Sequence, residues 1–540
     1  MTGGTWLILT LLMPLAMLAS CLFRPMRAAM PVLLPIAPLP GLIAALVVPD
    51  GASQAVPQLF GLTLQMDEPA ALLLGASSLL WMLAGFSATD FLRGRSDAPR
   101  FCAWWLLTLA GSLGIFIAAD LISFYLLFTI VSLAAYGLVV FDGSGQAQRA
   151  GVVYVAAALL GEAFLLFAFV ILAEASPGHS LLIADAVKGL AAAPWGNAAI
   201  AALILGFGLK TGLVPLHVWM PLTYAAAPIP AAAVLSGAAS KAGIIGLIRF
   251  LPVDSVPAGW GQALLLAGAF SAFYGVLIGI TQRDPRSVLA YSSVSQLGLL
   301  AAVLGAGLAA GSGGVAIAIA FYCVHHILAK GGLFLAIGAV EQRAARRIGI
   351  ILIPAAIVAL GFGGLPLTGG ALAKLAIKPI LTGGFAGAVG ILSAIASSVL
   401  MVHFILQLRS REPKAGQGAG NARSVGVWLA AAVATAALPW ALFQSATSIP
   451  LAYPFTTAAL WEAAWPVLTG CVMALVLFAR GPLPIRIPEG DVLHPFERLV
   501  VPLAARSGDG MEWFEARLRQ WPIACAVFLG IVIAFAVMLA

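Results

Sequence analysis

The sequence predicts an all-α, multi-pass membrane protein. Hydrophobic residues fill 62% of its 540 positions and charged residues only 9%, leaving too little polar surface for a soluble globule. Apolar runs of about 20 residues, the length a helix needs to cross the hydrocarbon core, recur about sixteen times between Trp6–Phe23 and Ile523–Ala540. These runs are apolar on every side, whereas the strands of a β-barrel would alternate.

Basic residues mark alternate loops. Arg24 and Arg27, Arg93 to Arg100, Arg149, Arg283 and Arg286, Arg343 to Arg347, Arg409 to Arg423, and a last group from Arg480 to Arg519 fall on one side. The intervening loops hold Lys188, Arg249 and carboxylates such as Asp50, Asp67, Glu68 and Asp185, so the positive-inside rule places the first set in the cytoplasm and both termini outside. The expected location is the cytoplasmic (inner) membrane of the cell. The net charge of +7 reports this topology, and nothing in its distribution suggests a nucleic-acid surface.

The N-terminus lacks the basic region of a signal peptide, so the first run is expected to stay as a helix. Cys21, Cys102, Cys323, Cys471 and Cys525 stand singly, without metal or iron–sulfur spacing, and neither cofactor nor metal is expected. The polar stretch from Arg480 to Gln520 reads as a cytoplasmic connector, either a plain linker or a docking segment.

Five lysines remain once the loops are accounted for: Lys210, Lys241, Lys330, Lys374 and Lys378, each within an apolar segment. A lysine at mid-membrane costs roughly 2.5–3.5 kcal/mol, so these side chains should face the bundle interior. Lysine can gain and lose a proton in such surroundings, which arginine cannot. The alternative, a stem along lipid with its ammonium among the headgroups, fits Lys378 best. Gly208, Gly212 and Pro215 surround Lys210 and break its helix.

His326 and Lys330 lie four residues apart and share a helix face; His325 points about 100° away. For His325, His217 and His403 a hydrogen bond between helices is the simpler reading. Glu162 is a carboxylate deep in an apolar run and a candidate counter-charge to Lys210, or a protonated group at a helix contact; Asp120 lies at a boundary between helices. Ser292, Ser293, Ser295 and Gln296 could hold water or bond between helices. Leu205-Gly206-Phe207-Gly208 recurs as Leu360-Gly361-Phe362-Gly363, each copy followed by a lysine, a proline and glycines, as in transporters built from paired broken helices.

Several segments occur in one order: Asp120-Leu-Ile-Ser-Phe-Tyr; Lys210 through Leu-His-Val-Trp-Met-Pro to Ala-Pro-Ile-Pro; Lys241 with Arg249; Ala290-Tyr-Ser-Ser-Val-Ser-Gln; His326 to Lys330; and Gly364-Leu-Pro to Lys374. From Asp67 to Arg411 the chain thereby resembles the antiporter-like membrane subunits of respiratory complex I, multisubunit sodium/proton antiporters and membrane-bound hydrogenases. The resemblance implies about fourteen core helices with two inverted five-helix repeats and broken helices, plus about two C-terminal helices. It segments the chain into N-terminal helices (1–100), repeats at 101–250 and 251–411, further helices at 412–480, the connector (481–520) and a last helix (521–540).

It further implies a proton relay through Lys210, Lys241, His326, Lys330 and Lys374, with Asp120, His217, Ser293 and Lys378 as accessory candidates. Two segments depart from the family. Its Phe-Tyr-x-x-Trp-Glu reads Phe124-Tyr125-Leu126-Leu127-Phe128-Thr129, and its Trp-Leu-Pro-Asp-Ala-His reads Trp219-Met220-Pro221-Leu222-Thr223-Tyr224. Glu162 is the candidate replacement for the glutamate lost at Thr129.

The expected function is proton translocation within a larger complex, with other membrane subunits and a peripheral redox module as partners and no active site in this chain. Carbonyls at broken helices could also ligate sodium. A non-pumping scaffold or passive proton conduit for a redox or carbon-dioxide-handling partner is the alternative, and a stand-alone substrate transporter a third reading.

Overall fold

A computed structural model of the chain describes residues 3–56, 61–190, 193–251, 253, 256–257, 259–342, 348–411, 422–479, 481 and 483–493. Arg343, Arg346, Arg347, Lys414, most of the expected connector, the last apolar run and Cys525 lie outside the described residues. A second unit begins at Gly490.

The N-terminal helices are α1 (Gly3–Ser20), α2 (Arg24–Leu33), α3 (Leu39–Val47), α4 (Glu68–Phe91) and α5 (Ala98–Ile117). There follow α6 (Leu121–Val139), α7 (Gly145–Ala175), the short α8 (Ile183–Leu190), α9 (Gly196–Thr211), α10 (Trp219–Ala226), α11 (Ile229–Val234) and α12 (Lys241–Phe250). The later elements are α13 (Trp260–Gly279), α14 (Pro285–Ala310), α15 (Val315–Glu341), α16 (Ile348–Gly361), α17 (Gly369–Ile377), α18 (Gly384–Arg409), α19 (Ala422–Thr447) and α20 (Thr457–Phe478). Thirteen described spans are long and apolar enough to cross a membrane, counting α2–α3 and α11–α12 as one each. The shorter apolar helices α9 and α16 are each followed, across a break, by a short helix, α10 and α17.

Local chemistry sets the helix ends. Asp67 caps α4 by accepting from Ala70 N at 2.7 Å, and Asp120 caps α6 by accepting from Ser123 N at 2.8 Å. The other Asp120 oxygen accepts from Thr63 N at 2.6 Å and from the Ser123 hydroxyl, tying α6 to a hairpin of strands β1 (Ser53–Val56) and β2 (Leu62–Gln65). That hairpin is the departure from the all-helical expectation among the described residues. It is too short to register as a periodic signal.

Interior packing relies on small residues, which let helix backbones approach where lipid supplies no hydrophobic drive. Gly261, Gly268 and Gly275 on α13 recur every seven residues and face Gly305, Gly298 and the Tyr291–Ser295 backbone of α14 in turn; a Cβ on Gly268 would come within 2.3 Å of Ala302 N. α15 is buried from Ala318 to Glu341, so His326 and Lys330 are central to the bundle.

Ion pairs separate the two ends. At one, Arg423 reaches Asp90 at 3.3 Å, and Arg286 and Arg411 converge on the buried Glu341 at 3.2 and 3.1 Å. At the other, Arg249 pairs with Asp67 at 2.8 Å and Lys188 with Asp185 at 3.2 Å.

Candidate functional site

The LGFG copies both finish a half-helix. α9 ends at Gly212 (φ +76°), and the turn after α16 passes through Gly364 (φ +95°), conformations that a Cβ would strain. The lysines fall differently about the two breaks. Lys210 stands on α9, before its break, whereas Lys374 stands on α17, after its own.

Lys210 is 7% exposed, and its ammonium donates to the Ser132 hydroxyl at 3.0 Å and the Tyr154 hydroxyl at 3.4 Å. The Phe128 ring lies 5.5 Å from the ammonium, a cation–π contact. Beside it is a cavity of ≈10 Å³ lined by Ser132, Tyr154, Gly161 and Trp219, about the room of one water. Glu162, the next residue along α7, is buried and lies within electrostatic reach of Lys210. Thr129 faces its carboxyl, and neither Thr129 Oγ1 nor Glu162 Oε1 has a hydrogen-bond partner. The position lacking the expected glutamate thus adjoins the glutamate one helix on.

From Lys210 polar groups continue inward. Tyr154 packs on Trp219 (centroids 5.4 Å apart), and Trp219 on Tyr224 (5.9 Å). The Tyr224 hydroxyl donates to Leu235 O at 3.4 Å and neighbours the Ser240 hydroxyl. Ser240 in turn accepts from Lys241 Nζ at 3.1 Å, and Ser236 O accepts from it at 2.9 Å. A π-helical turn, Leu235–Ala239, precedes Lys241, the kind of irregularity often found at functional positions. Tyr224, in the segment that departs from the family pattern, keeps a polar group between the two lysines.

Lys241, His326 and Lys330 are electrostatic neighbours, all fully buried. Lys330 Nζ donates to Leu289 O at 2.9 Å, the carbonyl that Ser293 Oγ also reaches at 3.2 Å. His326 has no hydrogen-bond partner on either ring nitrogen and packs against Phe362, 5.7 Å between centroids. His217 lies in the first break and packs against Tyr274 and Tyr291. His403 contacts the backbone carbonyl of Gln282, in the loop between α13 and α14, at 2.7 Å.

His325 sits in the second break, close against Gly361, Gly369 and Gly370. A hydrogen-bonded row also crosses this half: Tyr322 OH donates to Gln296, whose Nε2 donates to Ser397 Oγ at 2.8 Å. Lys374 lines a cleft of ≈730 Å³ with Gly364, Ala394, Lys378 and Glu462. Lys378 is half-exposed and pairs with Glu462 of α20. Asp120, by contrast, spends one oxygen on capping α6 and the other on the hairpin and the Ser123 hydroxyl.

Sequence reasoning passes over Tyr154, Ser132 and Glu462. Helical spacing carries the signal for two of them: Tyr154 is eight residues before Glu162 on one helix face, and Ser132 three after Thr129. Glu462 lies near a helix start and sends no such signal.

The profile of the NADH:quinone oxidoreductase/Mrp antiporter transmembrane family matches residues 118–402. Hydrogenase-4 component B of Escherichia coli K12 is 29% identical over 297 residues, covering 52% of this chain and 44% of its own. NADH-quinone oxidoreductase subunit N of Deinococcus radiodurans is 30% identical over 357 residues, covering 63% and 71%. The chain spans about half the length of the first of these relatives. A subunit in the structure of the Mrp complex from Dietzia sp. DQ12-45-1b has the same fold, with a TM-score of 0.75 over 99% of this chain and 62% of that one, at 19% identity.

Proposed function

The chain belongs to the NADH:quinone oxidoreductase/Mrp antiporter transmembrane family, and from that premise we propose that it moves protons along a line of buried amines as one membrane subunit of a multisubunit complex. The observation that carries the reading is the setting of Lys210, Lys241 and Lys330: each is buried and each donates to hydroxyl or carbonyl oxygens. An ammonium so placed can pass a proton along hydroxyls and small hydrated gaps, which a fixed ion pair would hold.

In this reading Glu162 supplies the carboxylate beside Lys210. The proton passes by Tyr154, Tyr224 and Ser240 to Lys241, then by His326 and Lys330 towards Lys374. Ser293 holds the carbonyl beside Lys330, and His217 and Tyr291 join the first break to α14. The chain's partners are other membrane subunits and a peripheral module that supplies the driving reaction, in the cytoplasmic membrane. The repeat boundaries at 101–250 and 251–411 are part of the same proposal.

The test is proton uptake by liposomes holding the chain with its co-purified partners, read by an interior pH dye. Lys210→Ala is expected to abolish coupled uptake with the assembly intact. Thr129 favours a second reading, a scaffold or passive conduit; uptake unchanged in Lys210→Ala would establish it.

A further inference from the structure

Lys374 opens onto a cleft that the relay as described leaves unexplained. Its volume of ≈730 Å³ corresponds to roughly two dozen waters at about 30 Å³ each. Glycines 363, 364, 383, 384, 387 and 390 line it, so little side chain intrudes. Among the described residues lining it, the charged groups are Lys374 and Lys378 on α17 and its cap, and Glu462 on α20; α18 contributes glycine, alanine and isoleucine.

Lys374 and Lys378 lie four residues apart, one turn or about 6 Å along the axis. Lys378 is paired with Glu462 and both are half-exposed. α18 runs from this region to Arg409, so the pair stands towards the end away from the arginine-rich loops.

We propose that Glu462 is a proton-carrying residue at the mouth of this cleft, and that its ion pair with Lys378 is the gate. The proposal rests on the relay reading above. Lys374 gives up its proton to water in the cleft, and Glu462 takes one up. Protonation cancels the carboxylate charge and releases Lys378. Glu462 then loses the proton to the outer solvent, and the ion pair re-forms. The ammonium of Lys378 is unchanged throughout, and one proton has crossed from Lys374 to solvent.

The experiment uses the full chain with its membrane partners in liposomes, driven by an imposed pH step and followed by a pH dye on each side. Glu462→Gln is expected to slow proton flux roughly tenfold or more and to remove its dependence on the pH of the cleft-side compartment. Glu462→Asp is expected to restore both. Because Glu462→Gln leaves Lys378 without an ion-pair partner, the double variant Glu462→Gln with Lys378→Met is included and remains slow if Glu462 carries protons. Normal flux in that double variant would mean the pair is only a brace, and overturns the proposal. Flux lost in Lys210→Ala but normal in Glu462→Gln also overturns it, while leaving the relay intact. Normal flux in both single variants removes the relay reading and this proposal with it.

Discussion

The Lys210 ammonium donates to the Ser132 hydroxyl at 3.0 Å, joining α9 to α6 three residues beyond the threonine that stands where a glutamate is expected. The nearest oxygens to this lysine are thus neutral. A carboxylate approaches from α7 instead. Ser132→Ala is expected to slow proton flux roughly tenfold or more, since a hydrogen bond to a charged group contributes about 1.5–3 kcal/mol, and Ser132→Thr to retain most of it.

Because Thr129 faces Glu162, the carboxylate can be moved from one helix to the other. Glu162→Gln is expected to lose coupled uptake in liposomes, and adding Thr129→Glu to recover a substantial part. Failure of the second change to recover anything would show that the site needs its charge on α7.

Tyr224 tests the link between Lys210 and Lys241. Tyr224→Phe removes the hydroxyl while keeping the ring against Trp219, and flux is expected to fall roughly tenfold or more. Tyr224→His, the residue type the family carries there, is expected to stay active. Equal rates in wild type and Tyr224→Phe would place the path elsewhere.

Arg249 holds the C-terminal end of α12 by donating to Asp67, Ala118 O at 2.6 Å and Phe116 O at 2.7 Å. Asp67 is 37% exposed, so solvent screens the ion pair and the two carbonyl bonds carry most of the effect. Arg249→Ala is expected to destabilise the chain by about 2–3 kcal/mol, visible as a lower Tm in detergent.

Two glycines make an internal comparison. A Cβ on Gly370 would lie 1.8 Å from Gly361 O and 2.9 Å from His325 Nε2, whereas Gly349 has nothing within 4 Å. Gly370→Ala is expected to cost about 1–3 kcal/mol through overpacking, and Gly349→Ala to be neutral or to stabilise by about 0.5–1 kcal/mol. Thermal melting of the two variants checks the contrast.

The lysines were legible in the sequence because a charge in an apolar run is visible without knowing the fold. Their partners were not. Ser132 and Tyr154 reach Lys210 from other helices, so only tertiary packing makes them neighbours. Glu462 is 84 residues from Lys378 and resembles any carboxylate near a helix start until α20 is laid beside α17. The LGFG repeat was visible as a match of four letters, but not that it ends a half-helix in both copies.

That difference in placement gives the two halves different mechanics. If either short half-helix swings about its glycine, α10 moves no lysine, and Lys210 stays in place while its surroundings rearrange. α17 would carry Lys374 bodily with it. One amine is a fixed post and the other rides on an arm, so a strain applied equally to both breaks changes the environment of the first and the position of the second.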